Sequence, residues 1–94
     1  MSHEVQLSER ARTDLERLPD FLAPASVPAA RRAREALLAA ILSLGDLPHR
    51  GQLGRPNGYR QLTVPFGRSA YRIRYRVSSA TVLVTQIVHA REGG

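Results

Sequence analysis

The chain of 94 residues carries 14 arginines, no lysine, no cysteine and 8 carboxylates, a net charge of +6. Residues 1–47 hold six arginines and seven acids, a net of −1, whereas residues 48–94 hold eight arginines and only Glu92, a net of +7. The run without a carboxylate between Asp46 and Glu92 excludes a paired-carboxylate acid/base site and a magnesium or calcium site there; three scattered histidines without thiols provide poorly for zinc, so no metal and no cofactor is expected.

The spacing predicts a short strand over His3–Leu7, where Val5 and Leu7 alternate with Glu4 and Gln6. Ser8 follows as a helix N-cap, with Glu9 at the positive end of the helix dipole. Ala11, Leu15 and Leu18 then share one helical face, and Pro19 and Pro24 are expected to limit that helix. Ser26-Val27-Pro28 opens a second helix with a stripe of Ala30, Ala33, Leu37, Ile41 and Leu44, widened by Leu38 and Leu42, and Gly45 stops it. Its run Ala36–Leu42 is the longest apolar stretch, far short of the ~20 residues that cross a membrane. Asp46–Gly58, rich in proline and glycine, reads as a loop.

Three strands follow, Tyr59–Val64, Ser69–Val77 and Thr81–His89, separated by Pro65-Phe66-Gly67 and Ser78–Ala80. The order β-α-α-β-β-β defines an α+β fold: an antiparallel sheet with a helical hairpin packed on one face. One domain spanning residues 1–94 is expected. Met1-Ser2-His3-Glu4 carries no signal-peptide pattern, so the expected location is the cytoplasm, with no membrane partner.

In the strand Ser69–Val77, Tyr71, Ile73, Tyr75 and Val77 share one face and Arg72, Arg74 and Arg76 the other, at intervals of about 6.6 Å. With the tyrosines toward the helices, the arginines form a comb on the open face. Three like charges in a row repel, and an anionic partner relieves them; the plainer reading is a solvated sheet face. Arg60 on the neighbouring strand and Arg68 near the turn extend this patch, and His89 and Arg91 flank the chain's end. Arginine stays protonated, so it can stabilise a phosphate without moving its proton, whereas histidine titrates near neutrality. For RNA cleavage His89 is therefore the acid/base candidate, against the alternative of a strand-end histidine tied to the backbone.

Six segments, in order, resemble the RelE/ParE superfamily of bacterial toxins from type II toxin–antitoxin systems. They are Val5-Gln6-Leu7-Ser8, the helix with Ala11, Asp14, Leu15 and Leu18, the Leu47-Pro48…Gly51 loop, Gly58-Tyr59-Arg60-Gln61-Leu62, Tyr71-Arg72-Ile73-Arg74-Tyr75-Arg76-Val77 and Ile87-Val88-His89-Ala90-Arg91-Glu92. The resemblance covers almost the whole chain. It implies the same β-α-α-β-β-β order and a small basic toxin neutralised by a cognate antitoxin, in a heterotetramer with it.

Two activities divide that superfamily. RelE-like members cut mRNA on the ribosome without a metal, and ParE-like members poison DNA gyrase. By position, Arg72 matches the strand arginine that RelE-like nucleases set on the scissile phosphate, and Arg60 matches their arginine on the preceding strand. His89 and Arg91 fall in the terminal stretch where those enzymes carry His or Tyr. A RelE-like reading thus makes Arg72, Arg60 and His89 catalytic; the binding set is Arg72, Arg74, Arg76, Arg60, Arg68 and Arg91. No tyrosine follows Tyr75, no lysine exists, and the end is Gly93-Gly94, all departures from the nuclease pattern. The first expectation is a ParE-like gyrase inhibitor, the second a ribosome-dependent mRNA endoribonuclease. The third is a non-toxic basic domain that binds nucleic acid or an acidic protein.

Overall fold

The computed structural model describes residues 2–22, 27–54 and 58–90. Its elements are β1 (Glu4–Leu7), α1 (Glu9–Leu22), α2 (Val27–Ser43), β2 (Gln52–Leu53), β3 (Arg60–Phe66), β4 (Ser69–Val77) and β5 (Thr81–His89). Ser8 caps α1 as its position predicts: its Oγ accepts the Ala11 N–H at 3.0 Å. The same hydroxyl donates to the Thr85 carbonyl at 3.0 Å, so the cap also ties the helix start to β5.

α1 buries Ala11, Asp14 and Leu18, and it runs on through Pro19 to Leu22 instead of stopping. The proline removes one i→i−4 hydrogen bond and crowds the carbonyl four residues back, but the helix continues for three residues beyond it. Pro24 and Ser26 lie outside the described residues. α2 buries Ala33, Leu37 and Ile41, with Leu44 just past its end, and each fully buried leucine or isoleucine contributes about 1.5–3 kcal/mol. Leu38 and Leu42 are 39% and 70% exposed. They do not widen the buried stripe, because each sits one residue, roughly 100°, round the helix from Leu37 and Ile41.

The sheet order is β1-β5-β4-β3-β2. β3, β4 and β5 form the expected antiparallel meander, and the helices cover one face of it over Leu62, Tyr71, Ile73, Tyr75, Val82, Val84 and Ile87. The sheet as a whole is mixed, because β1 joins β5 in parallel from Glu4↔Thr81 to Leu7↔Val84. β2 lies inside the predicted loop and pairs with β3 through Gln52↔Gln61 and Leu53↔Arg60. β3 itself extends two residues beyond Val64 to a two-residue turn at Gly67 and Arg68.

The pairing of β4 with β5 slips by one residue between Arg74 and Tyr75: Tyr75 faces Val84 and Arg74 faces Gln86, leaving Thr85 as the extra residue of a bulge. A one-residue slip exchanges the faces of every residue beyond it. Inward positions accordingly pass from Val82 and Val84 to Ile87 and His89, all 2% exposed or less. The Thr85 hydroxyl donates to the Arg74 carbonyl at 3.2 Å, which fixes the bulge from within. Beyond Val84 the outer edge of β5 has no strand partner among the described residues, and α1 closes it: the buried Asp14 carboxylate accepts the Ile87 N–H at 3.0 Å. Arg10 and Arg17 stand 3.8 and 3.6 Å from the same carboxylate.

Candidate functional site: a hollow on the open sheet face

The arginine comb exists as read: Arg72, Arg74 and Arg76 project opposite the buried Tyr71, Ile73 and Tyr75. Its members are held differently. Arg74, half-buried, lies in register between Gln61 of β3 and Gln86 of β5. Its Nε donates to Gln61 Oε1 at 3.1 Å and its Nη1 to Gln86 Oε1 at 3.4 Å. Arg76 is exposed, with its guanidinium carbon 4.0 Å from the centroid of the Tyr59 ring, a cation–π contact. Arg72 stands in register between Thr63 and Val88.

Around Arg74 the surface sinks into a hollow of about 460 Å³ walled by Arg10, Tyr59, Gln61, Thr85 and Gln86. Arg10 enters from the first turn of α1, beside the edge of β5 that β1 leaves open. Arg60 also borders the hollow, although its pairing with Tyr75 turns its side chain toward the helices. Among the described residues the lining holds no histidine and no carboxylate. A guanidinium only donates, so each glutamine must turn its oxygen to Arg74 and leave its amide nitrogen as a donor elsewhere. The hollow therefore offers donors and positive charge.

The other expected site residues are dispersed. Arg60 pairs with Tyr75, which puts it on the helix-facing side with Leu62 and Val64. Its Nη1 donates to the carbonyls of Gly51 at 2.8 Å and His49 at 3.2 Å, so it pins the loop before β2 and does not extend the comb. His89 pairs with Tyr71 and is 2% exposed, its ring edge-on to the tyrosine at 5.3 Å between centroids. It lies on the opposite side of the sheet from Arg72. Arg68 is exposed in the β3–β4 turn, and Arg91 lies outside the described residues. Tyr71 is fully buried, its hydroxyl has no hydrogen-bond partner among the described residues, and burial pushes its pKa up to about 12.

Sequence reasoning missed Gln61, Gln86 and Arg10. For β3 a signal existed: Arg60, Leu62 and Val64 share one parity, which sends Arg60 inward and Gln61 outward. For Gln86 none existed, because its face depends on the bulge. Among the described residues no group of His, Asp and Glu could hold a metal ion, and no helix is long and apolar enough to cross a membrane.

Comparison with known proteins adds the following. Residues 5–93 match the family model described as the ParE toxin of the type II toxin–antitoxin system parDE. The curated protein Toxin RelE1 of Caulobacter vibrioides is 41% identical over 92 residues, covering 98% of each chain. Toxin RelE3 of the same organism is 34% identical over 88 residues, covering 94% of this chain and 95% of the relative. Among solved structures, the chromosomal ParDE system of Pseudomonas aeruginosa superposes with a TM-score of 0.71 at 21% identity, covering 94% of this chain and 96% of that one. The RelBE2 toxin–antitoxin complex of Mycobacterium tuberculosis gives 0.69 at 24% identity, covering 95% and 99%. These structural likenesses carry the fold.

Proposed function

The chain belongs to the ParE toxin family of type II toxin–antitoxin systems, and on that premise we propose that it acts in the cytoplasm by binding DNA gyrase and not by cutting mRNA. Cleavage through the 2′-hydroxyl requires a group that takes a proton and one that returns it, both within reach of the phosphate. The observation that carries the proposal is the separation of those roles. Arg72 and Arg74 stand on the open face, while His89 is 2% exposed on the helix side against Tyr71. What remains on the open face is a cationic, donor-lined surface. Such a surface steers and orients an acidic protein without any proton transfer. Its neutralising partner is a cognate antitoxin, joined in a heterotetramer.

The test is induction in cells, followed in parallel by gyrase-linked DNA breaks and by primer extension on ribosome-bound mRNA. DNA breaks with intact mRNA are expected. A second reading, a ribosome-dependent endoribonuclease, draws support from the relatives named RelE1 and RelE3 and from the position of Arg72. Cuts in mRNA that vanish in Arg72→Ala while the fold persists would overturn the first reading in favour of the second.

A further inference from the structure

We propose that the hollow around Arg74 is a carboxylate subsite, which seats one glutamate or aspartate side chain of an acidic, partly apolar peptide segment. The proposal rests on reading the open face as a protein-binding surface and names what that surface recognises. Of the five guanidinium N–H groups, two are engaged among the described residues, one on Nε by Gln61 and one on Nη1 by Gln86. The three left over sit at the Nη1–Nη2 end, the part of the planar fork that meets both oxygens of a carboxylate. The two glutamines brace the ring plane, so little side-chain freedom is lost when an anion arrives. Both glutamines line the hollow, and Arg10, whose Nε stands 3.8 Å from the Asp14 carboxylate, adds a second cation to its wall. Asp14 does not occupy the site itself: it is buried and its Oδ2 already accepts the Ile87 N–H.

The surroundings favour a peptide over a nucleic-acid strand. Binding a phosphate backbone is carried by its contacts with cations and needs no aliphatic neighbour. Here the next arginine, Arg76, is stacked on Tyr59, and its register partner Leu83 is 36% exposed. An exposed aliphatic side chain thus lies directly beside the row of arginines, which suits a segment that carries apolar residues next to its acidic ones.

The experiment measures binding by fluorescence anisotropy of a labelled, end-capped peptide alternating glutamate with leucine and serine. Its glutamine counterpart and a short oligouridine serve as competing probes. The acidic peptide is expected to bind, and its glutamine counterpart to bind about tenfold more weakly or worse. Arg74→Gln should lower affinity by about tenfold to a hundredfold, the range for losing a charged hydrogen-bonded pair. Arg74→Lys should recover less than half of that loss on a logarithmic scale, because an ammonium cannot present the fork. Arg32→Gln, the same charge change on the exposed side of α2, should alter affinity less than about twofold. Thermal melts of each variant separate unfolding from lost binding.

Equal losses in Arg74→Gln and Arg32→Gln would reduce the effect to net charge and overturn the subsite. So would full recovery in Arg74→Lys. Tighter binding of oligouridine than of the acidic peptide, dependent on Arg74, would replace the peptide reading with a nucleic-acid one. Peptide binding without gyrase-linked breaks supports the subsite and overturns only the gyrase target, whereas gyrase inhibition unchanged by Arg74→Gln overturns only the subsite.

Discussion

Gly51→Ala tests the contact on which the core meets the loop before β2. The Gly51 N–H donates to the Tyr75 hydroxyl at 2.9 Å, so the loop backbone lies directly against a fully buried ring. A Cβ at this position would stand 2.6 Å from that hydroxyl oxygen, 3.0 Å from Tyr75 Cε1 and 3.0 Å from the Gln61 carbonyl oxygen. Carbon contacts are optimal near 3.5–4.0 Å, so ring or loop must retreat by roughly 0.5–1 Å. Neither moves easily, since the ring is enclosed and Arg60 holds the carbonyls on both sides of the loop. Overpacking costs about 1–3 kcal/mol. Breaking the bond to Tyr75 leaves buried polar groups unpaired, at about 1–3 kcal/mol more. Against this, alanine restricts the unfolded chain by up to about 1 kcal/mol.

The expected net loss is about 2–4 kcal/mol, or a melting temperature lowered by roughly 10–25 °C for a domain of this size. Tyr75→Phe alone should cost about 1–2 kcal/mol through the unpaired Gly51 N–H. In the double variant the hydroxyl that made the shortest contact is gone. Its cost should therefore fall about 1–2 kcal/mol below the sum of the single variants. Urea denaturation followed by circular dichroism measures all three, with an unchanged m-value as the condition for comparing them. Strict additivity, or a Gly51→Ala loss under about 1 kcal/mol, would refute the close-contact argument.

Asp14→Ala should cost about 2–3 kcal/mol by orphaning the Ile87 N–H and speed exchange of that amide. Asp14→Asn should cost about 1 kcal/mol or less, since an amide oxygen still accepts and the partner arginines are largely exposed. Tyr71→Phe should raise stability at neutral pH by about 1 kcal/mol, because it removes a buried hydroxyl without a partner among the described residues. The same substitution should flatten the alkaline limb. With the Tyr71 pKa raised from 10.0 to about 12 in the folded state, the unfolded chain releases its proton first. Wild-type stability is then full below pH 10 and falls by an order of 2–3 kcal/mol as the pH passes to about 12, a loss that should be absent from the variant and therefore appear as a rise in the variant-minus-wild-type difference curve. Arg60→Ala should cost about 1–2 kcal/mol and loosen the loop at His49 and Gly51, visible as faster exchange of the Gly51 amide.

Much of this architecture is written locally. Ser8 before Glu9 is a cap that needs no tertiary context, and the alternation Tyr71-Ile73-Tyr75 against Arg72-Arg74-Arg76 fixes a strand with one buried and one open face. What local pattern cannot encode is pairing between distant segments. β1 has four residues and only its contact with β5 makes it a sheet member, parallel and not antiparallel. β2, two residues long, lies below the length at which alternation carries information. Arg60 is a different case, because the two-residue turn at Gly67 and Arg68 fixes its register. Phe66 faces Ser69, so counting back sets Arg60 against Tyr75, and the inward face follows from the sequence alone.

The bulge at Thr85 decides what the open face can do. Were β5 to alternate without interruption from Val82 and Val84, the inward positions would continue at Gln86 and Val88. Ile87 and His89 would then join the arginines, and a titratable group would stand beside Arg72. The extra residue reverses this. It sends His89 inward against Tyr71 and brings Gln86 outward to Arg74. Three bonds from separate elements hold that reversal: Ser8 on the Thr85 carbonyl, Thr85 on the Arg74 carbonyl and Asp14 on the Ile87 N–H. One slip of register therefore withdraws the acid/base candidate and completes the brace around Arg74. Arg72, Arg74 and Arg76 thereby stand together on the open side of the sheet and His89 on the side of the helices.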